Sequence, residues 1–199
     1  MRILFLTNNA ISDPLITWLR EREDVIVVDH KLVPDDLVKH GPDLIVSYSY
    51  RHILKPAVLD TLPGRFVNLH ISMLPFNRGA DPNAWSYLDD TPPGVTIHEI
   101  DEGIDTGPIL LQQQVAIDEA SETLASSYRR LHEAIQTLFR DHWEDLRTRS
   151  IISQPQREAG TFHASADFAR LRDQLLGTEG WDVPLLTLRE RHRRLIASS

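Results

Sequence analysis

At 199 residues, with 41% hydrophobic and 25% charged side chains, the chain can bury a real core, is short for two full domains, and is too apolar for disorder to be the default. Twenty-nine acidic against 21 basic residues give a formal charge of −8, which repels a phosphate backbone and argues against a nucleic-acid partner. Cysteine is absent, which excludes disulfides and thiolate zinc sites.

The first apolar run, Ile3 to Leu6, is too short for a signal peptide or a membrane span, so the chain reads as cytoplasmic with no membrane partner. Met1 to Thr7 predicts a strand, Asn8-Asn9 a turn, and Asp13-Pro14 a helix start with proline in the first turn. Val25 to Val28 and Leu44 to Val46 predict two more strands, with a short helix near Pro34 to Lys39 between them. Continuous apolar strands alternating with helices predict an α/β fold: a Rossmann-like, mostly parallel twisted sheet with helices on both faces.

In such sheets ligands sit beyond the carboxyl ends of the strands. Three polar stretches follow predicted strands: Ser47 to Leu54, His70 to Arg78 after Phe66 to Leu69, and Asp101 to Gly107 after Val95 to Ile100. From Ser121 a long helix is expected, with Leu124, Tyr128, Leu131, Ile135 and Leu138 forming a core-facing stripe. Beyond Ser150 the pattern is broken by Pro155 and Gly160 before helical segments at Ala166 to Leu176 and Leu185 to Ile196. The expected organisation is a catalytic domain over residues 1–150 and a largely helical C-terminal appendage over 151–199, itself a candidate homodimer contact. Arg189, Arg191, Arg193 and Arg194, interrupted by Glu190, read as a solvated helix face rather than an RNA-binding tail.

Asn68 and His70 are two apart on a predicted strand, so their side chains share one side and can converge on one small target. Alone, such a pair is an ordinary set of satisfied polar groups, and Asp105-Thr106-Gly107 is ordinary turn chemistry. His98 lies on the strand before the latter turn, where it could touch the site but reads first as structural. No His-Glu-x-x-His or His-x-x-x-His spacing is present on a helix, so no metal site is expected. Leu74-Pro75 marks a tight turn in which either peptide isomer is open.

The run Asn68-Leu69-His70, Ser72-Met73-Leu74-Pro75, Asn77-Arg78-Gly79-Ala80-Asp81-Pro82-Asn83, Gly94 to His98 and Gly103-Ile104-Asp105-Thr106-Gly107 resembles the folate-dependent formyltransferase family over Leu44 to Val115. The resemblance implies a catalytic trio of Asn68, His70 and Asp105, and 10-formyltetrahydrofolate as co-substrate, with Tyr50, His52, Ile53, Leu54, Asp101, Gly103 and Ile104 about the pterin. It implies attack of a neutral amine on the formyl carbon. The developing oxyanion would be met by Asn68 and protonated His70, with Asp105 holding the imidazolium and moving the proton.

Within that family, Thr7 to Asp13 lacks the glycines of a phosphate nest, which disfavours a phosphoribosylglycinamide formyltransferase. The residues after Ser150 are too few for the β-barrel of initiator-tRNA formyltransferases, and the chain starts directly on its first strand, unlike hydrolase relatives with an N-terminal regulatory domain. The expected acceptor is therefore an amino sugar, usually nucleotide-linked, with Ser72, Asn77, Arg78, Gly79 and Trp85 as candidate substrate residues. Trp85 reads equally as a sugar-pocket wall or a helix anchor, and Arg78 as an anion contact or a loop cap. A folate-binding module, or a hydrolase releasing formate, stays open as the alternative.

Overall fold

A computed structural model describes residues 1–198. In chain order the elements are β1 (Arg2–Leu6), α1 (Asp13–Arg20), β2 (Asp24–Val28), α2 (Pro34–His40), β3 (Leu44–Tyr48), α3 (Pro56–Leu59), β4 (Phe66–His70), β5 (Arg78–Gly79), α4 (Pro82–Leu88) and β6 (Gly94–Glu99). They continue with β7 (Ile109–Gln114), α5 (Leu124–Asp141), α6 (Trp143–Thr148), β8 (Phe162–His163), α7 (Ser165–Leu176) and α8 (Leu185–Ala197). The expected βαβαβ start is present, and α1 begins at Asp13 with Ser12 as its cap residue and proline in its first turn.

Six strands form a sheet in the order β2-β1-β3-β4-β6-β7, and the β1–β2, β1–β3 and β3–β4 pairs are parallel. The chain is thus α/β with a mostly parallel sheet and helices, as its strand patterning predicts. β1 and β3 lie inside the sheet and are buried almost throughout, whereas β2 closes one end of the sheet and leaves Val27 exposed. No helix of the described residues is long and apolar enough to cross a membrane.

Two compact units are interleaved along the chain. The first comprises residues 1–70, 97–111 and 136–156; the second comprises 71–96, 112–135 and 157–199. Residues after Ser150 therefore fall in both. The core of the first unit gathers Leu4, Leu6, Ile45, Leu54, Val58 and Phe66.

The core of the second gathers Trp85, Tyr87, Leu124, Phe168, Leu175, Val183, Leu185 and Leu188. Its backbone joins distant segments: Leu124 N donates to the Val183 carbonyl (3.0 Å) and Leu185 N to the Glu122 carbonyl (3.1 Å). β5 and β8 pair in parallel. Gly79 permits this approach, because its φ is +88° and a Cβ there would collide with the His163 carbonyl. The Leu74–Pro75 peptide is cis.

Of the predicted α5 stripe, Leu124, Leu131, Ile135 and Leu138 are buried, while Tyr128 is only partly so.

Candidate active site

Asn68 and His70 stand on the same side of β4, near its carboxyl end. β6 adds His98, and the loop that leaves β6 brings Asp105 back to the same spot in a left-handed conformation (φ 53°). Asn68 Nδ2 donates to Asp105 Oδ1 (3.1 Å) and lies 3.2 Å from His98 Nε2. Asp105 Oδ2 is 3.6 Å from His70 Nδ1, and Asp105 Oδ1 is 3.4 Å from His98 Nε2. The two imidazoles meet edge to face with centroids 6.4 Å apart. All three sequence-predicted catalytic residues come together, and His98 joins them.

His98 Nδ1 is 2.7 Å from the Glu99 carbonyl, which can only accept, so Nδ1 carries a proton. In the neutral ring Nε2 is then an acceptor, and Asn68 donates to it. Both amide protons of Asn68 are thereby spoken for, one by Asp105 and one by His98. The cluster sits in a largely water-excluded place: His70 and His98 are buried and the Asp105 side chain is nearly so. Electrostatic interactions among these groups are correspondingly stronger than in water.

The Asp105 loop is held from two directions. Asp101 Oδ1 accepts from Gly103 N (3.1 Å) and from Thr106 Oγ1 (2.6 Å), closing the turn on itself. Gln156 Nε2 donates to the carbonyls of Asp105 (2.9 Å) and Gly107 (2.8 Å). Gln156 is presented there because Gln154 exchanges two backbone bonds with Ile109. Sequence reasoning did not find Gln156, since a brace 49 to 51 residues away leaves no periodicity or motif. His98 shares β6 with Thr96 and Glu99, so no polar-apolar pattern singles it out.

The first unit also carries the expected pterin-binding residues. Asn8 ties the strand ends together, donating to the Asp29 carbonyl (2.6 Å) and accepting from Arg51 N (3.0 Å). Tyr50 donates its hydroxyl to the His30 carbonyl (2.6 Å) and accepts from Leu32 N (2.9 Å), and burial raises its pKa. His52 packs edge-on against Tyr50, with centroids 5.1 Å apart. Leu54 enters the core, whereas Ile53 and Ile104 are 58% and 40% exposed on their two loops.

The expected substrate residues lie in the second unit. Ser72 donates to the Phe76 carbonyl (2.7 Å). Asn77, fully buried, takes Thr161 Oγ1 on its backbone N–H (2.8 Å) and donates its side chain to Ser86 (3.2 Å) and Thr91 (2.7 Å). Arg78 donates to the Ala159 carbonyl (3.2 Å), and Gly79 is in the β5–β8 pair. Trp85 is buried and stacks on His163 at 3.7 Å, while His163 Nε2 is 2.7 Å from Asp89 Oδ2. These side chains knit residues 72–91 to 159–163.

The formyl transferase family model matches residues 25–141. The dTDP-4-amino-4,6-dideoxyglucose formyltransferase of Mycobacterium tuberculosis is 34% identical over 138 residues, covering 69% of this chain and 58% of that protein. The methionyl-tRNA formyltransferase of Pelobacter propionicus is 34% identical over 158 residues, covering 79% of this chain but 48% of its own length. The match thus spans about half the length of these curated relatives. The crystal structure of the formyltransferase PseJ from Anoxybacillus kamchatkensis, in complex with UDP-4,6-dideoxy-4-formamido-L-AltNAc and tetrahydrofolate, superposes with a TM-score of 0.85 at 38% identity. It covers 96% of this chain and 100% of that one.

Proposed function

Because this chain belongs to the formyl transferase family, we propose that it moves a formyl group from 10-formyltetrahydrofolate to the primary amine of a nucleotide-linked amino sugar. The observation that carries this reading is the convergence of Asn68, His70, His98 and Asp105 at the carboxyl ends of β4 and β6, within hydrogen-bond or ion-pair reach of one another. The acceptor class is supported by the relatives: PseJ is described with a UDP-linked formamido sugar and tetrahydrofolate, and the mycobacterial protein is named for a dTDP-linked amino sugar.

The neutral amine attacks the formyl carbon, forming the new C–N bond while the carbonyl oxygen takes the negative charge. Asn68 meets that charge by turning one amide proton from His98 to the oxyanion, keeping the other on Asp105. His70, with Nδ1 on the Asp105 side, presents its Nε2 edge as the second donor. The attacking nitrogen now bears a surplus proton. Asp105 accepts it and passes it, directly or through water, to the folate nitrogen as the C–N bond to folate breaks and the carbonyl re-forms.

Ile53 and Ile104 leave apolar surface uncovered on the two loops beyond the strand ends, which suits a flat pterin, and the braced loop of Asp101 and Gly103 supplies fixed backbone groups. Incubation with 10-formyltetrahydrofolate and a panel of amino-sugar nucleotides, read by mass spectrometry for the gain of one formyl group, tests the proposal. Folate turnover that proceeds equally without any amine would identify water as the acceptor and overturn it.

A further inference from the structure

β1 ends at Leu6, whose pairing with Ser47 closes the regular β1–β3 register. Two residues further on, Asn8 carries the bonding past that point with its backbone and its side chain together. Its N–H donates to the Ser49 carbonyl (3.1 Å), and its side-chain oxygen accepts from Arg51 N (3.0 Å). In a regular parallel ladder the second of these bonds would end on a backbone carbonyl, so the amide oxygen of Asn8 stands in for one. Toward β2 the pattern repeats: Thr7 N donates to the Val28 carbonyl (3.0 Å), and one step later Asn8 Nδ2 donates to the Asp29 carbonyl (2.6 Å). One side chain thus extends two ladders beyond the strand ends. That takes an acceptor and a donor on one short planar group, which among side chains of this size only asparagine supplies.

The segment moored in this way is the loop that leaves β3, Ser49 to Leu54. Ser49 is left-handed (φ 53°), a state that a non-glycine residue keeps only where its surroundings hold it, and Asn8 bonds the peptide groups on both sides of Tyr50. Tyr50 is itself tied to the loop that follows β2, through His30 and Leu32. Residues 29–32 therefore set where residues 49–54 stand, and Asn8 is the link between the two loops that belongs to neither. At the far end of the moored loop Leu54 is anchored in the core, which leaves Ile53 presented at 58% exposure on a segment fixed at both ends.

Resting on the reading that residues 49–54 take the pterin of 10-formyltetrahydrofolate, we propose that Asn8 is a positioning residue for the co-substrate. Its side chain keeps the loop in the shape that receives folate, so that binding finds the loop already ordered. Without those bonds the loop must be ordered at the moment of binding, which lowers affinity. The chemical step, which falls to Asn68, His70 and Asp105 in that reading, does not draw on Asn8.

Tetrahydrofolate carries no formyl group, so its binding to the full chain by titration calorimetry reads the loop whether or not any amine is accepted. Asn8→Ala, which loses both side-chain bonds, is expected to weaken that binding about tenfold. In the formylation assay it should raise KM for 10-formyltetrahydrofolate by a similar factor, with kcat and the KM for the amine within about twofold of wild type. Asn8→Asp keeps an oxygen for Arg51 N but sets the other against the Asp29 carbonyl, so it should fall between wild type and Asn8→Ala. It also carries the test where the alanine variant does not fold. A merely structural role would lower the urea midpoint of the variants and leave folate affinity unchanged, and that result overturns the proposal even if formylation proceeds. Wild type that binds no tetrahydrofolate overturns it together with the reading of the loop. Folate binding that responds as expected, in a protein that formylates no amine, sustains the role of Asn8 and overturns the proposed reaction instead.

Discussion

His98 accepts from Asn68 on one ring nitrogen and donates to its own strand's backbone on the other, so it fixes the rotamer of the residue assigned to the oxyanion. His98→Ala should therefore lower kcat/KM by roughly tenfold, and His98→Gln, whose side-chain oxygen can still accept from Asn68, should recover part of it. A structural role alone would show as a loss of thermal stability with no such rescue. Asn68→Ala and His70→Ala each remove a proposed donor and should cost about a hundred- to a thousandfold in kcat, with folate binding kept within a few fold. Near-normal turnover in either variant would refute the roles. That Asn68, His70 and Asp105 come together follows from a motif in the sequence; that His98 faces them does not, because a histidine on a strand gives no sign of which side chain it meets.

At the scale of elements, the Asp105 loop depends on a segment far away in the chain. Gln156→Ala removes two hydrogen bonds to its carbonyls, each contributing about 1 kcal/mol, and should lower turnover while raising amide exchange at Asp105 to Gly107. Unchanged exchange would show that the Asp101 turn suffices alone. On α5, burial pushes His132 down to about 4, so the folded chain holds it neutral where the unfolded chain protonates it near 6.5. The unfolded state then binds more protons between those values, and stability falls as pH drops from about 6.5 to about 4, by on the order of 3 kcal/mol. His132→Phe should flatten that limb of a urea-stability profile; an equally steep limb would assign the acid sensitivity elsewhere. The α5 stripe itself was readable from its 3.6-residue period, whereas Tyr128's place in a cavity lining was not, since periodicity names a face but not what it meets.

For the molecule as a whole, the parallel sheet and the helices after Ser150 follow from hydrophobic pattern, but the partners of those helices do not, because contacts across a hundred residues leave no local trace. The basic cluster near the C-terminus illustrates this: Arg193 and Arg194 are solvated as composition suggests, while Arg189 turns inward to bond both carboxylate oxygens of Glu119 at 3.1 Å and also pairs with Asp90. Arg191 reaches Glu179 at 2.9 Å. The same helix buries Leu185 and Leu188 against the cluster that includes Trp85, Tyr87 and Leu124. Removing α7 and α8 would therefore uncover the core of a unit that also contains α4, rather than trim a tail. Leu188→Ala, at a fully buried position, should cost about 2–5 kcal/mol in urea unfolding with an unchanged m-value, through lost transfer free energy and the cavity left behind. An exposed control on the same helix, Leu186→Ala, should cost little. If both substitutions proved equally mild, the C-terminal helices would be dispensable to that core.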